Sequence, residues 1–365
     1  MRRPFQKLET PEYYGVNNAI NIRIPVAEGE SIGAWYIRPD QDGRVRSDDR
    51  WKAITSNPNF ERINSFNQSP LNCDNSALDA KVPSCNDVDH QRFDEVREYL
   101  SDPDEIVILY LHGTAETRSL GHRRELYKKL QELGIVVLAP DYRGYADSYG
   151  GFSFRTSESS MSWDGAMSLR FAKKHIHPKS KVIVWGHSLG TGVTSKLGKK
   201  NYSTIKDLKK AIKFTLITFM MSLLNIVFLF PANDVLQEKW RPDAYVLEAP
   251  FNKMVDEVES FAIAKPFKYL INIQTIIENI DLAFDNETLI KNIKEPIFIM
   301  HAEDDGIIPF RLGKRLFDVA ETNSCNARFF PFEKCLHLGH DNIYSADQFQ
   351  EVVQVIINTE RVMKR

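Results

Sequence analysis

The stretch Lys181-Val-Ile-Val-Trp-Gly-His-Ser-Leu-Gly-Thr-Gly-Val193 decides the fold. It begins with a run of β-branched residues, which is typical of a parallel strand buried on both faces. Gly186-His-Ser-Leu-Gly190 then fits G-x-S-x-G, the pattern of a serine on a sharp strand-to-helix turn. The two glycines suit this turn because only residues without a Cβ fit two positions away from the serine on either side. The stretch therefore predicts a strand, a strained turn that presents Ser188, and a helix.

Further apolar strands alternate with helices on either side of this stretch. We expect strands at Ile106–Leu111, Ile135–Ala139, Ala244–Pro250, Pro296–Met300 and Ala327–Phe332, after a hairpin of Asn21–Val26 and Ser31–Arg38. We expect helices at Arg123–Leu133, Met161–Ile176, Phe310–Ala320 and Ala346–Glu360. The pattern predicts an α/β fold with a mostly parallel, eight-stranded sheet, an antiparallel hairpin at its start and helices on both faces.

The composition is that of an ordinary globular protein and excludes few functions. The 365 residues are 42% apolar and 26% charged, with a net charge of −2. We expect one domain over residues 1–365, and the near-neutral charge argues against nucleic acid as a partner. The cysteines, Cys73, Cys85, Cys325 and Cys335, show no C-x-x-C spacing, so we expect no metal site. Two local disulfides and four free thiols remain open alternatives.

Two segments are predicted to be insertions in the α/β pattern. Residues 41–104 are polar and rich in Asn, Asp, Ser and Pro, as in a solvated insertion. Residues 201–240 contain the uncharged stretch Phe214–Phe230, at the lower limit of a membrane span. A single span there would separate Ser188 from every residue that follows it. The stretch is therefore interpreted as a membrane anchor lying on one side, a lid, a packed helix, or sequence from an incorrectly predicted gene. Residues 252–290 are predicted to form lid-like helices.

A serine nucleophile needs a base, and the base needs an orienting carboxylate. In hydrolases with this turn, the three follow in the chain order serine, acid, histidine. We predict that Asp305 is the acid, because it follows an apolar strand and precedes Gly306-Ile-Ile-Pro309. Asp304 is the alternative acid, and Glu303 is expected to be solvated.

His340 is the predicted base, since it follows the last strand and lies next to Gly339. His337 is the alternative. Three further histidines at strand ends, His112, His187 and His301, are expected to pack or to donate hydrogen bonds. The predicted oxyanion hole combines the backbone N–H of Leu189, at a helix N-terminus, with that of Thr114. No substrate-binding residue is indicated.

Several motifs together resemble one family of serine hydrolases. They are Tyr110-Leu-His-Gly113, Asp141-Tyr-Arg-Gly144, Trp185-Gly-His-Ser-Leu-Gly-Thr-Gly192, Leu247-Glu-Ala-Pro-Phe251, and His301-Ala-Glu-Asp-Asp305 with Ile308-Pro-Phe310. The sequence resembles the α/β-hydrolase branch that contains the lysophosphatidylserine and monoacylglycerol lipases of the endoplasmic reticulum. This implies hydrolysis of single-chain lipid esters by Ser188, Asp305 and His340, without metal or cofactor. The chain departs from the family at Ala146, where glycine is common, and at Thr114-Ala-Glu-Thr117, where the oxyanion loop is usually richer in Gly and Asn.

The resemblance also implies a membrane enzyme of the endoplasmic reticulum with a lumenal catalytic domain, acting at a membrane surface. The first ten residues lack an apolar region, so we expect neither a signal peptide nor the family's N-terminal anchor. Sequons at Asn67, Asn201 and Asn286 would permit glycosylation in the lumen. Two alternative functions are a palmitoyl-protein thioesterase and a catalytically inactive hydrolase fold that binds membranes. The sequence does not indicate the acyl length, the head group or the oligomeric state.

Overall fold

The computed structural model describes residues 7–27, 30–39, 105–114, 117–148, 156–198, 240–254, 283–324 and 326–358. Both predicted insertions lie almost entirely outside these residues, and so does the centre of the predicted lid region. The sequons at Asn67 and Asn201 also lie outside them. The described ranges include Ser188, Asp305 and His340.

Eight strands of the described residues form one sheet. They are β1 (Ala19–Ala27), β2 (Glu30–Ile37), β3 (Ile106–Leu111), β4 (Val136–Pro140), β5 (Lys181–His187), β6 (Ala244–Glu248), β7 (Ile297–Ala302) and β8 (Ala327–Phe332). Their order across the sheet is β1-β2-β4-β3-β5-β6-β7-β8. The pairs β1–β2 and β2–β4 are antiparallel, whereas the other pairs are parallel. The prediction of a mostly parallel sheet that begins with a hairpin is confirmed.

Helices cover both faces of this sheet. They are α1 (Gly121–Glu132), α2 (Glu158–His175), α3 (Leu189–Leu197), α4 (Asn286–Ile290), α5 (Phe310–Ser324) and α6 (Phe349–Ile357). Leu109 of β3 belongs to a core that includes Val193 of α3, and Ile108 belongs to a core that includes Val353 of α6. Successive strand residues thus face opposite helical layers, as buried parallel strands require. Among the described helices, none combines the length and apolar composition needed to cross a bilayer.

Helix α2 begins one turn earlier than the apolar periodicity predicts. The hydroxyl of Ser157 accepts a hydrogen bond from the amide of Ser160, at 3.1 Å, and the hydroxyl of Ser160 accepts one from the amide of Ser157, at 2.9 Å. This reciprocal cap satisfies two amides that have no partner within the helix. The first turn is polar, so a prediction based on apolar spacing does not include it.

The sequon at Asn286 is buried within the fold. Its side-chain nitrogen donates to the carbonyl oxygen of Phe251, at 2.9 Å, and to the hydroxyl of Thr191, at 3.2 Å. Glycosylation would require this nitrogen at the surface. The expectation that Asn286 is available for a glycan is therefore wrong for the folded chain. Of the cysteines, the described part of the chain contains Cys335, a free and exposed thiol.

Candidate active site

Ser188 lies at the carboxyl end of β5, at the turn into α3. Its backbone has φ 53° and ψ −120°, a conformation that is strained for a residue with a side chain. Two backbone hydrogen bonds hold the turn: the amide of Ser188 donates to the carbonyl oxygen of Glu248, at 3.0 Å, and the amide of Thr191 donates to that of Ser188, at 2.9 Å. The strand, strained turn and helix thus have the order that the sequence predicts.

The two glycines that flank this turn lie against other backbone. A Cβ at Gly190 would overlap the carbonyl oxygen of Leu111 in β3, and a Cβ at Gly186 would overlap that of Gly190. The backbones of β3, β5 and α3 therefore approach one another more closely than any residue with a side chain allows. This approach brings the end of β3 beside Ser188.

Replacement of Gly190 with alanine is expected to lower the free energy of unfolding by about 3 kcal/mol, because the added methyl group meets backbone that cannot rotate away. Gly306→Ala is the matched control, since a Cβ there has no neighbour within 4 Å among the described residues. Urea denaturation of both variants measures the effect. Equal stability of the two variants would contradict the close approach.

Asp305 and His340 lie together beyond the carboxyl ends of the strands. Nδ1 of His340 donates to Oδ2 of Asp305, at 2.8 Å. Nε2 of His301 lies 3.2 Å from the same oxygen. Oδ1 of Asp305 accepts from the backbone amides of Ile307 and Ile308, at 2.8 and 2.9 Å. Burial alone would raise the pKa of Asp305, but the hydrogen bonds from His301 and His340 lower it well below the ordinary value. The carboxylate is therefore ionised and fixed in position.

The alternative acids and base have other contacts. Oδ2 of Asp304 accepts from the amide of Gly339, at 3.0 Å, and Oε2 of Glu303 accepts from that of Lys334, at 3.2 Å. Both carboxylates thus hold the loop that carries His340, rather than its imidazole. His337 is exposed. Among these acids, Asp305 is the one whose carboxylate forms a hydrogen bond with the imidazole of His340.

The predicted oxyanion loop runs directly beside Ser188. A Cβ at Gly113 would lie 3.1 Å from the Cβ of Ser188. Thr114 follows and is exposed, and Leu189 is the first residue of α3. Both predicted oxyanion donors therefore belong to backbone that adjoins the Ser188 turn.

Two buried arginines that the sequence did not single out hold this loop. Nη1 of Arg123 donates to the carbonyl oxygen of Thr117, at 2.7 Å, and Nη2 to that of Gly113, at 3.3 Å. Arg118 forms ion pairs with Asp141 and Asp147, and its backbone amide donates to Asp141, at 2.7 Å. Arginines near a helix start resemble solvated charges in a sequence, so no local signal distinguishes them.

Ala146, which replaces a common glycine of the family, has φ 47°. A residue with a side chain adopts this left-handed conformation at a cost that glycine avoids. The next residue, Asp147, forms the ion pair with Arg118. A glycine at this position would form the turn that brings Asp147 to Arg118 without this cost.

The other strand-end histidines make hydrogen bonds to backbone. Nδ1 of His112 lies 2.7 Å from the carbonyl oxygen of Gly113, Nε2 of His187 lies 3.1 Å from that of His340, and Nε2 of His301 lies 2.9 Å from that of Ile308. Burial lowers the pKa of His112 and of His187 well below the ordinary value. His187 therefore links the Ser188 turn to the His340 loop as a neutral group.

A second cluster of ionisable side chains adjoins this site. It consists of His122, His187 and Asp341, each of which offers one potential metal-ligating atom, and these atoms lie within 4.8 Å of one another. Burial lowers the pKa of His122 to about 4, although the negative charge of Asp341 acts to raise it. The cluster does not include Ser188, Asp305 or His340.

Residues 101–340 match the hydrolase family described as serine aminopeptidase, S33. This protein belongs to that family. The matched range contains Ser188, Asp305 and His340, and the family membership makes the protein an α/β-type serine hydrolase. The identification agrees with the resemblance inferred from the motifs.

Curated relatives of this hydrolase include lysophosphatidylserine lipases. Lysophosphatidylserine lipase ABHD12 of Danio rerio is 33% identical over 256 residues, which are 68% of this chain and 56% of the relative. The Xenopus tropicalis protein of the same name is 28% identical over 371 residues, which are 98% of this chain and 74% of the relative. The match to the Danio rerio protein thus spans little more than half of that protein's length.

A solved structure shares the fold of this hydrolase. The Pyrococcus furiosus esterase Pf2001 superimposes with a TM-score of 0.54 at 14% identity, over all of this chain and 97% of the esterase. At this identity the likeness establishes the fold alone. The α/β-hydrolase fold is therefore confirmed.

Proposed function

We propose that this hydrolase cleaves acyl esters of single-chain lipids, namely monoacylglycerol and lysophospholipids such as lysophosphatidylserine. The observation that carries the proposal is the hydrogen bond of 2.8 Å between His340 and Asp305, at the edge of the sheet where β5 presents Ser188. The lipid class is supported by the relatives, whose name specifies a lysophosphatidylserine lipase.

In the proposed reaction, His340 takes the proton of Ser188 as the serine oxygen attacks the ester carbonyl carbon. The backbone N–H groups of Leu189 and Thr114 bind the oxyanion, and Asp305 stabilises the imidazolium. His340 then gives its proton to the departing glycerol or glycerophospho oxygen. Water attacks the acyl-enzyme, returns a proton through His340 and releases the fatty acid. These transfers need neither a metal nor a cofactor.

The pH dependence of this reaction follows from the surroundings of His340. Burial lowers the pKa of His340, but the hydrogen bond to Asp305 and the charges of Asp305, Asp341 and Glu248 raise it above the ordinary value. The base must be neutral to accept a proton, so activity falls as the pH decreases through this pKa. We expect the midpoint of the acidic decrease in kcat/KM to lie above pH ~6.5, the ordinary pKa of histidine. A midpoint below that pH would contradict the proposed surroundings of His340.

Labelling by a fluorophosphonate and a substrate panel test the proposed function. We expect labelling at Ser188, and faster hydrolysis of lysophosphatidylserine and monoacylglycerol than of a palmitoyl-cysteine peptide. Preference for the peptide would favour the thioesterase alternative. Equal lipid binding by the wild type and Ser188→Ala, with turnover in neither, would favour an inactive binding module.

We extend the proposal to the cell, where the resemblance implies the endoplasmic reticulum membrane and a lumenal catalytic domain. Residues 214–230 are proposed to contact the membrane as an anchor or a lid. Deletion of residues 201–240 distinguishes the two roles: reduced partition into vesicles with esterase activity retained would favour the anchor, whereas altered esterase activity would favour the lid. Protease protection of the enzyme in intact microsomes tests the lumenal orientation, because a lumenal domain resists digestion until detergent is added.

A further inference from the structure

We propose that His122, His187 and Asp341 form a zinc site whose occupation inhibits the hydrolase. The three residues come from three elements that meet beside Ser188. His122 lies in the first turn of α1, His187 is the last residue of β5, and Asp341 directly follows His340. The binding of zinc by these residues is independent of the proposed function, whereas its inhibitory effect rests on it.

The distances in this cluster are close to those of a zinc site. Nε2 of His122 and Nε2 of His187 each lie 3.7 Å from Oδ1 of Asp341. Zinc binds imidazole nitrogen and carboxylate oxygen at about 2.0–2.2 Å, which places tetrahedral ligands about 3.4 Å apart. The two distances to Asp341 exceed this separation by about 0.3 Å, and all three potential ligating atoms lie within 4.8 Å of one another, so rotation of the side chains toward one another would complete the site.

The cluster has an unsatisfied buried nitrogen. Nε2 of His122 is buried and has no hydrogen-bond partner among the described residues. Its distance of 3.7 Å from the Asp341 carboxylate exceeds that of a hydrogen bond. Buried polar atoms in native proteins nearly always have a partner, and an ion would supply one here.

The ligand set favours zinc among common divalent cations. Two imidazoles and one carboxylate form a zinc site with one open position, whereas magnesium and calcium prefer oxygen ligands. The side chain of Asp341 is 44% exposed, so the cluster borders solvent, which would supply a water molecule as the fourth ligand. The ion thus has an entry path from the surface.

An ion in this position would act on the catalytic base through two contacts. Nε2 of His187 lies 3.1 Å from the carbonyl oxygen of His340, and zinc ligation removes the proton that it donates there. The ligand Asp341 directly follows His340 in the chain, so the ion would also restrain the backbone that carries the base. Both effects slow the attack of Ser188.

Calorimetric titration with zinc chloride tests the site directly. The variant is His122→Gln, and the matched control is His177→Gln, at the opposite end of β5. We expect the wild type and the control to bind one zinc ion more than His122→Gln, or to bind zinc at least about tenfold more tightly. Asp341→Asn provides a second variant, expected to behave like His122→Gln, and thermal denaturation confirms that each protein is folded. Equal zinc binding by His122→Gln, Asp341→Asn and the control would overturn the site.

Fluorophosphonate labelling and ester hydrolysis in the same zinc series test the inhibition. Zinc is expected to inhibit the wild type and His177→Gln, while His122→Gln requires about tenfold more zinc for the same inhibition. Magnesium chloride is expected to have no effect. Zinc binding that leaves the rate unchanged would overturn the inhibitory role. An enzyme without any esterase activity would refute the proposed function, and the calorimetric comparison would still decide the zinc site.

Discussion

Replacement of Ser188 with alanine is expected to reduce ester hydrolysis by about 10⁴-fold or more and to abolish fluorophosphonate labelling. The variant keeps the Cβ and the backbone of the turn, so the sheet and the oxyanion donors remain in place. It removes the one oxygen that attacks the ester carbonyl in the proposed reaction. The residual rate would come from binding and oxyanion stabilisation alone.

The matched control for this variant is Ser159→Ala, an exposed serine of α2 that lies outside the proposed site. We expect it to retain labelling and activity, and both variants to unfold at the temperature of the wild type. Persistent labelling of a folded Ser188→Ala protein would place the nucleophile elsewhere. Loss of labelling in both variants would show that the loss is not specific to Ser188.

Replacement of Asp305 with asparagine is expected to lower kcat by about 10⁴-fold, because a neutral amide does not stabilise the imidazolium. The amide can also donate to Nδ1 of His340, which favours the wrong tautomer. The charge of Asp305 raises the pKa of His340, so its removal is expected to move the acidic limb of the remaining activity to lower pH. Measurement of kcat and its pH profile tests both effects.

Asp304→Asn is the matched control, since it changes the neighbouring carboxylate in the same way. The amide oxygen of asparagine can still accept the hydrogen bond from Gly339. We expect a decrease in kcat of less than about tenfold and an unchanged pH profile. If Asp304→Asn had the larger effect, the assignment of the acid to Asp305 would be wrong.

The sheet was predictable because parallel strands are buried on both faces. Apolar runs such as Ile106–Leu111 and Ala327–Phe332 have the same bounds in the sequence and in the structure. The five residues of α4 were not predicted as a separate helix, since they carry little apolar periodicity. This short helix is stabilised instead by the cap from Asp285, whose Oδ1 accepts from the amide of Thr288 at 2.9 Å.

The positions of the three proposed catalytic residues along the chain were predictable from the order of the strands. Ser188, Asp305 and His340 each follow a strand of the sheet, and parallel strands bring their carboxyl ends to one edge. The adjacent carboxylates of Asp304 and Asp305 have different partners, the amide of Gly339 and the imidazole of His340. The direction of each side chain depends on the conformation of the loop, which the sequence alone does not indicate.

By itself the sequence determined the fold class, the strained turn at Ser188 and the order of the three proposed catalytic residues. Local chemistry is sufficient for these, because apolar runs form buried strands and only glycines permit the close approach at this turn. The tertiary structure alone decided that Arg123 holds the oxyanion loop and that Asn286 is buried. It also decided that His122, His187 and Asp341 meet beside the base. These contacts join residues that are distant in the chain, and the sheet order that brings them together depends on the packing of all its strands.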